Sequence, residues 1–269
     1  MNISLEFYPP KDLDFSRTHA SFLDLETFEP KFISITYGAL GGSQERSTGL
    51  IKEFSAKSNV EIAAHLTLVG KSVESLDGIT SEFKQLGIKK IVAIRGDSPD
   101  GIFKQHPDGF VNTADFVSYL IDKDFEVIVS AYPEPHPEST GFDFDLQLLK
   151  NKSAAGAKKA ITQFCFSNGD FEKLIGSIKK ESIDIEMIAG IMPIYDIENV
   201  CRMADRCGTK VPNNIINKFS NNQSKNRSVA IEVCIDQINF LQNLGIDSFH
   251  FYTLNKSTLL KQILLQAGG

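Results

Sequence analysis

The chain has 269 residues, 42% hydrophobic and 23% charged, with a formal charge of -6 at pH 7 and a pI near 5.4. It is long enough to bury one large core or two modest ones, and the net negative charge, with Lys pairs such as Lys89-Lys90 and Lys158-Lys159 short and scattered, argues against a nucleic-acid partner. Cys165, Cys201, Cys207 and Cys234 lack C-x-x-C pairing and the five histidines lack H-x-x-x-H spacing, so no metal site is expected. MNISLEFYPP shows no basic-then-apolar leader and no apolar run has bilayer length, so a reducing cytoplasm and no membrane partner are expected.

Eight short segments rich in β-branched and aromatic residues follow in order: 3–8, 32–37, 60–66, 90–95, 125–132, 159–166, 185–193 and 246–252. Each reads as a buried strand. Helical periods lie between them; residues 72–86 put Val73, Leu76, Ile79, Phe83 and Leu86 on one stripe, and another such period, 257–266, follows the last strand. A β-then-α order repeated eight times predicts an α/β fold, a single (β/α)8 TIM-type barrel over residues 1–269, in preference to an open doubly wound sheet. The first strand also runs into Pro9-Pro10 without a G-x-G-x-x-G turn. The stretch 196–244 exceeds one crossover helix and is divided by Pro212 and the polar run 220–224, which predicts an extra helix after strand seven.

Barrels place chemistry at the C-terminal ends of their strands, and those positions are polar here. Glu6 lies in the first strand, Thr36-Tyr37-Gly38 ends the second, His65 the third and Arg95-Gly96-Asp97 the fourth. The fifth ends Tyr132-Pro133-Glu134 with His136 beyond, the sixth carries Gln163, and the eighth reads F-H-F-Y-T-L-N-K. Glu6 is either a strand-end carboxylate facing solvent or an inward-facing acid with a raised pKa, a natural proton donor. Arg95-Gly96-Asp97 reads equally as a turn with a local ion pair, and His65 and His136 as structural hydrogen-bonding residues. Gln163 needs several partners if buried. The glycine-rich stretch 38–43 allows backbone approach to a ligand but matches no phosphate-loop fingerprint. Met203, Phe219 and Phe240 read as helical core.

The strings E-F-Y-P-P, S-I-T-Y-G-A, A-A-H-L-T, A-I-R-G-D, A-Y-P-E-P-H-P-E, A-G-A-K-K-A-I-T-Q-F, A-G-I-M-P-I and F-H-F-Y-T-L-N resemble the methylenetetrahydrofolate reductase family from the first strand to the eighth. The resemblance implies non-covalent FAD at the C-terminal face and NADH or NADPH as hydride source. It further implies ping-pong reduction of 5,10-methylenetetrahydrofolate to 5-methyltetrahydrofolate, the methyl supply for methionine synthesis. By motif, Glu6 resembles the general acid and Asp97 the carboxylate beside flavin and pterin. Thr36, Tyr37, Ala39, His65, Arg95, Gly96, Asp97, Thr113, Tyr132, His136, Asp145 and Lys152 fall on positions that resemble cofactor contacts. Gln163, Asn199 and Lys256 fall on positions that resemble substrate contacts. A homo-oligomer is expected.

The chain departs from the family pattern at Leu148 and Asn151, where Asn and Arg often reach the flavin's polar tail, and at Met203, where an aromatic often stands. Lys256 replaces the usual Arg, keeping the charge without the planar fork. The resemblance implies a catalytic barrel without the C-terminal regulatory domain of the larger eukaryotic members. A barrel flavoprotein reducing another imine or enone differs only in its substrate pocket, whereas a flavin-free binding module has no use for an acid at Glu6.

Overall fold

The computed structural model describes residues 1–37, 44–96, 103, 105–220 and 222–268. Its strands are β1 (Asn2–Phe7), β2 (Phe32–Ile35), β3 (Ile62–Thr67), β4 (Lys90–Ile94), β5 (Glu126–Ala131), β6 (Lys159–Thr162), β7 (Glu186–Ile191) and β8 (Ser248–Tyr252). They pair in parallel and in sequence order, and the barrel closes where β8 meets β1, with Ser4 opposite His250 and Glu6 opposite Tyr252. The (β/α)8 expectation is met.

Side chains alternate across each strand. On β1, Ile3, Leu5 and Phe7 join the large core between barrel and helices, where the Phe7 ring meets Phe22 and Phe54 edge-on at 6.0 and 5.5 Å. Inside the barrel, β2 through β7 each contribute one buried apolar residue, Phe32, Ala63, Val92, Ile128, Ile161 and Ile188, with the partly buried Ile94 of β4 packed against them. β1 and β8 contribute Ser4 and His250 instead, the latter stacked on Phe32 at 5.9 Å. The barrel interior is therefore apolar on most sides and polar along one seam.

The helices are α1 (Ser16–Glu26), α2 (Gln44–Ser55), α3 (Val73–Gln85), α4 (Thr113–Asp122), α5 (Phe142–Ala154), α6 (Asn168–Lys180), α7 (Ile197–Cys207), α8 (Asn213–Ile216), α9 (Gln223–Asn243) and α10 (Thr258–Ala267). α3 follows its predicted stripe, burying Leu76, Ile79 and Phe83, and Ser72 caps it by accepting from Ser75 N. Between β7 and β8 the chain forms α7, which ends at the left-handed Gly208, then the short α8 and the 21-residue α9.

Several strands stop earlier than their apolar runs. β6 ends at Thr162, yet Phe164, Cys165 and Phe166 are buried beyond it. They leave the ladder, Phe164 packing on Phe166 and Tyr252 while Gln237 of α9 donates to the Cys165 carbonyl. Burial continues there without strand pairing, and apolar patterning reports burial alone.

Candidate active site

Glu6 points into the barrel, its Oε2 3.7 Å from His65 Nε2 and 4.0 Å from His250 Nε2. A fifth of its side-chain surface stays open, but burial governs its protonation and raises its pKa to about 8. The same desolvation lowers His65 to about 4 and, with His65 beside it, His250 to about 3. At neutral pH the cluster therefore holds a protonated carboxyl beside two neutral imidazoles. It is a reachable acid with no charge to neutralise.

Hydrogen bonding orients the second imidazole. Ser4 Oγ donates to the Phe249 carbonyl at 3.2 Å and lies 2.8 Å from His250 Nδ1. The His250 Nε2 lies 3.3 Å from Ser34 Oγ on the side that faces Glu6. Tyr252 crosses the interior to donate to the Thr162 carbonyl at 2.8 Å. Burial and then Glu6 hold its hydroxyl well above the ordinary range. The crossing requires Gly190, because a Cβ there would meet the Tyr252 ring at 2.8 Å.

Two polar atoms around this acid lack a hydrogen-bond partner among the described residues: Thr36 Oγ1, just past β2, and His65 Nε2 on β3. Buried orphans of this kind are costly unless a ligand satisfies them. The next strands carry a second polar group. Arg95 Nη1 pairs with Glu138 at 2.7 Å, and Gly96 adopts φ +83° where a Cβ would press on Val69 and Thr67. Tyr132 meets His136 edge-on at 5.1 Å, and His136 N donates to Asp145 at 2.9 Å. Lys152 donates to the Ser130 carbonyl at 3.0 Å, and burial lowers its pKa to about 8 against the opposing pull of Asp145. Tyr37 is different, since its ring packs on Phe83 with Lys71 over it.

The remaining residues lie on the rim. Gln163 is half-buried and folds its Oε1 back onto Phe164 N at 3.0 Å. Asn199 is exposed in the first turn of α7, its amide 3.8 Å from Met203 Sδ. Lys256 is exposed after β8 with its Nζ 5.2 Å from the Tyr195 ring centre. Thr113 opens α4 behind its cap Asn112. Ala39 and Asp97 lie outside the described residues. The sequence reading missed His250 as a neighbour of Glu6 and Ser4 and Ser34 as the hydroxyls that hold His250. The signal was alternation, which puts Ser4 with Glu6 and His250 with Tyr252 on one face.

A cavity also opens at the N-terminal mouth, lined by Asn2, Lys90, Lys159 and Glu186 among others, but its charges are largely paired already. Lys90 holds Glu61 and Glu126, Lys159 holds Glu126, and Glu186 accepts from Ser248. Among the described residues no group of His, Cys, Asp or Glu could hold a metal ion, and no helix is long and apolar enough to cross a membrane.

A closed parallel barrel with a buried acid and unsatisfied donors at the C-terminal ends of its strands belongs to the (β/α)8 class that carries its chemistry on that face. The family model described as methylenetetrahydrofolate reductase matches residues 1–268, and the chain belongs to that family. The 5,10-methylenetetrahydrofolate reductase of Pectobacterium carotovorum is 37% identical over 264 residues, covering 96% of this chain and 87% of its own. That of Escherichia coli K12 is 34% identical, covering 96% and 88%. Among solved structures, an uncharacterised Clostridium thermocellum protein that binds two copies of 5-methyl-5,6,7,8-tetrahydrofolic acid aligns with a TM-score of 0.61 at 13% identity, covering 99% and 93%. The tryptophan synthase alpha-subunit of Pyrococcus furiosus aligns with a TM-score of 0.59 at 11% identity, covering 100% and 98%. Both show the fold alone.

Proposed function

We propose that the chain reduces 5,10-methylenetetrahydrofolate to 5-methyltetrahydrofolate, the methyl supply for methionine synthesis, using non-covalent FAD and NADH or NADPH in a ping-pong sequence. The observation that carries this reading is Glu6, an acid kept protonated to about pH 8 inside the barrel yet open to a ligand. The names of the relatives support the folate substrate.

The residues present fit a flavin. Thr36 and His65 offer buried atoms in need of partners, and Arg95 with Lys152 offers positive charge to a diphosphate. Lys152, poised near pH 8 by burial, gains its proton firmly once an anion lies beside it. His136 and Asp145 complete that side, and we assign Ala39 and Asp97 to the same cofactor by motif. Bound flavin supplies a two-electron carrier between nicotinamide and folate.

Glu6 serves the folate step. It gives its proton to the departing nitrogen of the five-membered ring, the C–N bond breaks with its electron pair on that nitrogen, and the methylene iminium left on the other nitrogen accepts hydride. Desolvation makes the carboxyl a donor at neutral pH, and the neutral imidazoles beside it avoid stabilising the carboxylate prematurely. Gln163, Asn199 and Lys256 line the rim where the rest of the folate would lie. We read residues 1–269 as one catalytic domain working in the cytoplasm as a homo-oligomer.

The test is anaerobic. Protein saturated with FAD should bleach with NADH or NADPH and regain its colour on mixing with methylenetetrahydrofolate. Bleaching without recovery assigns another acceptor, and a protein that gains no flavin absorbance from excess FAD overturns the reading.

A further inference from the structure

The barrel seam continues beyond its last ladder pair through one side chain. Asn255 Oδ1 accepts from Tyr8 N at 3.0 Å and Asn255 Nδ2 donates to the Tyr8 carbonyl at 2.8 Å. The amide thereby acts as an additional rung where β8 has already turned away. Asn255 Nδ2 also reaches Thr18 Oγ1 at 3.2 Å, and Ser21 Oγ donates to the Asn255 carbonyl at 2.9 Å, so α1 is tied to the same point. Thr253, fully buried, donates its hydroxyl to the Glu6 carbonyl and accepts from Asn255 N at 3.0 Å.

The turn itself is strained. Leu254 and Asn255 both sit in the left-handed region, at φ 51° and 56°. Asn tolerates that region; Leu does so only at a cost, and such strain persists only where surrounding contacts over-determine it. The turn delivers Lys256 to the rim, where Tyr195 Oη donates to its carbonyl at 2.7 Å and the ring lies under its ammonium.

We propose that Asn255, acting with Thr253, is a positioning residue that locks the backbone of Glu6 to the turn carrying Lys256, so that proton donor and rim cation hold one fixed separation. The inference rests on the folate-reducing reading of the site. Asn255 touches neither the acid's carboxyl nor any reacting atom; it acts through β1 and the turn. A one-rung clamp at this place does what general packing of the seam cannot, since the ladder between β1 and β8 ends at Glu6 and Tyr252.

Three variants of the FAD-loaded full chain separate this role from a merely conformational one. Asn255→Gly tolerates the left-handed backbone but removes the clamp, Asn255→Ala removes both, and Thr253→Val removes the hydroxyl bound to Glu6 while leaving the turn's backbone requirement untouched. In all three, flavin reduction by nicotinamide should stay within about twofold of wild type, while flavin reoxidation by methylenetetrahydrofolate slows about 10–100-fold, the scale of a small misplacement of reacting groups. The alkaline limb of that step should also move to lower pH. His65 on β3 and His250 and Tyr252 on β8 still face Glu6, but a loosened β1 admits water to it. Asn255→Gly at the wild-type rate and pH profile overturns the inference while leaving the reading intact, and if that variant does not fold, Thr253→Val decides in the same way. A wild-type protein that fails to reoxidise with folate overturns the reading, and the inference with it.

Discussion

At the scale of single residues, the molecule is governed by three groups whose charges have been suppressed together. Glu6→Gln keeps the shape of the side chain and removes its proton, so flavin reduction should be unchanged while the folate step falls by about 10²–10⁴-fold, the usual worth of a general acid. Stopped-flow traces of each half-reaction check this, and a folate step near the wild-type rate would remove Glu6 from the mechanism. The same substitution alters stability in a pH-dependent way. Glu6 has a folded pKa of about 8 against 4.5 unfolded, so between those values only the folded state holds the proton and stability falls as pH rises. His65 and His250, lowered to about 4 and about 3 from 6.5, act oppositely, and their contribution is lost as pH falls below 6.5. Glu6→Gln removes the first limb alone. Its melting temperature should gain on wild type from pH 5 to pH 8.5, by an amount on the order of a few kcal/mol in stability. A constant offset across that range would contradict the buried acid.

At the scale of elements, the two ends of the barrel use polar residues for different ends. The C-terminal ends leave atoms without partners, on Thr36 and His65, whereas the N-terminal ends of β4, β5 and β6 pair Lys90 with Glu61 and Glu126 and Lys159 with Glu126. Lys90→Ala takes the ammonium from Glu61 and leaves Glu126 with Lys159 alone. Its partners are about two-fifths exposed, so the loss should be about 1–2 kcal/mol, less than for a fully buried pair. Denaturant unfolding measures it, and both half-reactions should keep wild-type rates because Glu6 lies at the other end. A variant as stable as wild type would show that solvent screens the pairs completely.

At the scale of the whole molecule, closure makes Glu6 an acid. Only when β8 pairs with β1 do Ser4, Glu6 and Ser34 face His250 and Tyr252. Flavin binding should couple to that closure. Saturating FAD should raise the melting temperature, with about 2.7 kcal/mol of added stability at a hundredfold excess over Kd, and denaturation followed by filtration should release all the flavin. Flavin retained on the denatured chain would show a covalent link.

The sequence by itself determined the β-then-α order, the barrel and the place of Glu6 near the C-terminal end of the first strand, because strand alternation and helical period are local properties read over a few residues. It also carried the family in eight strings in the right order. What it left open was whether Glu6 faced solvent or interior, and which groups met it. Ser4 and His250 are 246 residues apart and touch only through ring closure. The pKa shifts, the seat of His250 between Ser4 and Ser34 and the Asn255 clamp all arise from contacts between distant segments, and desolvation is a property of the assembled interior. Tertiary structure alone supplies the burial that raises the pKa of Glu6.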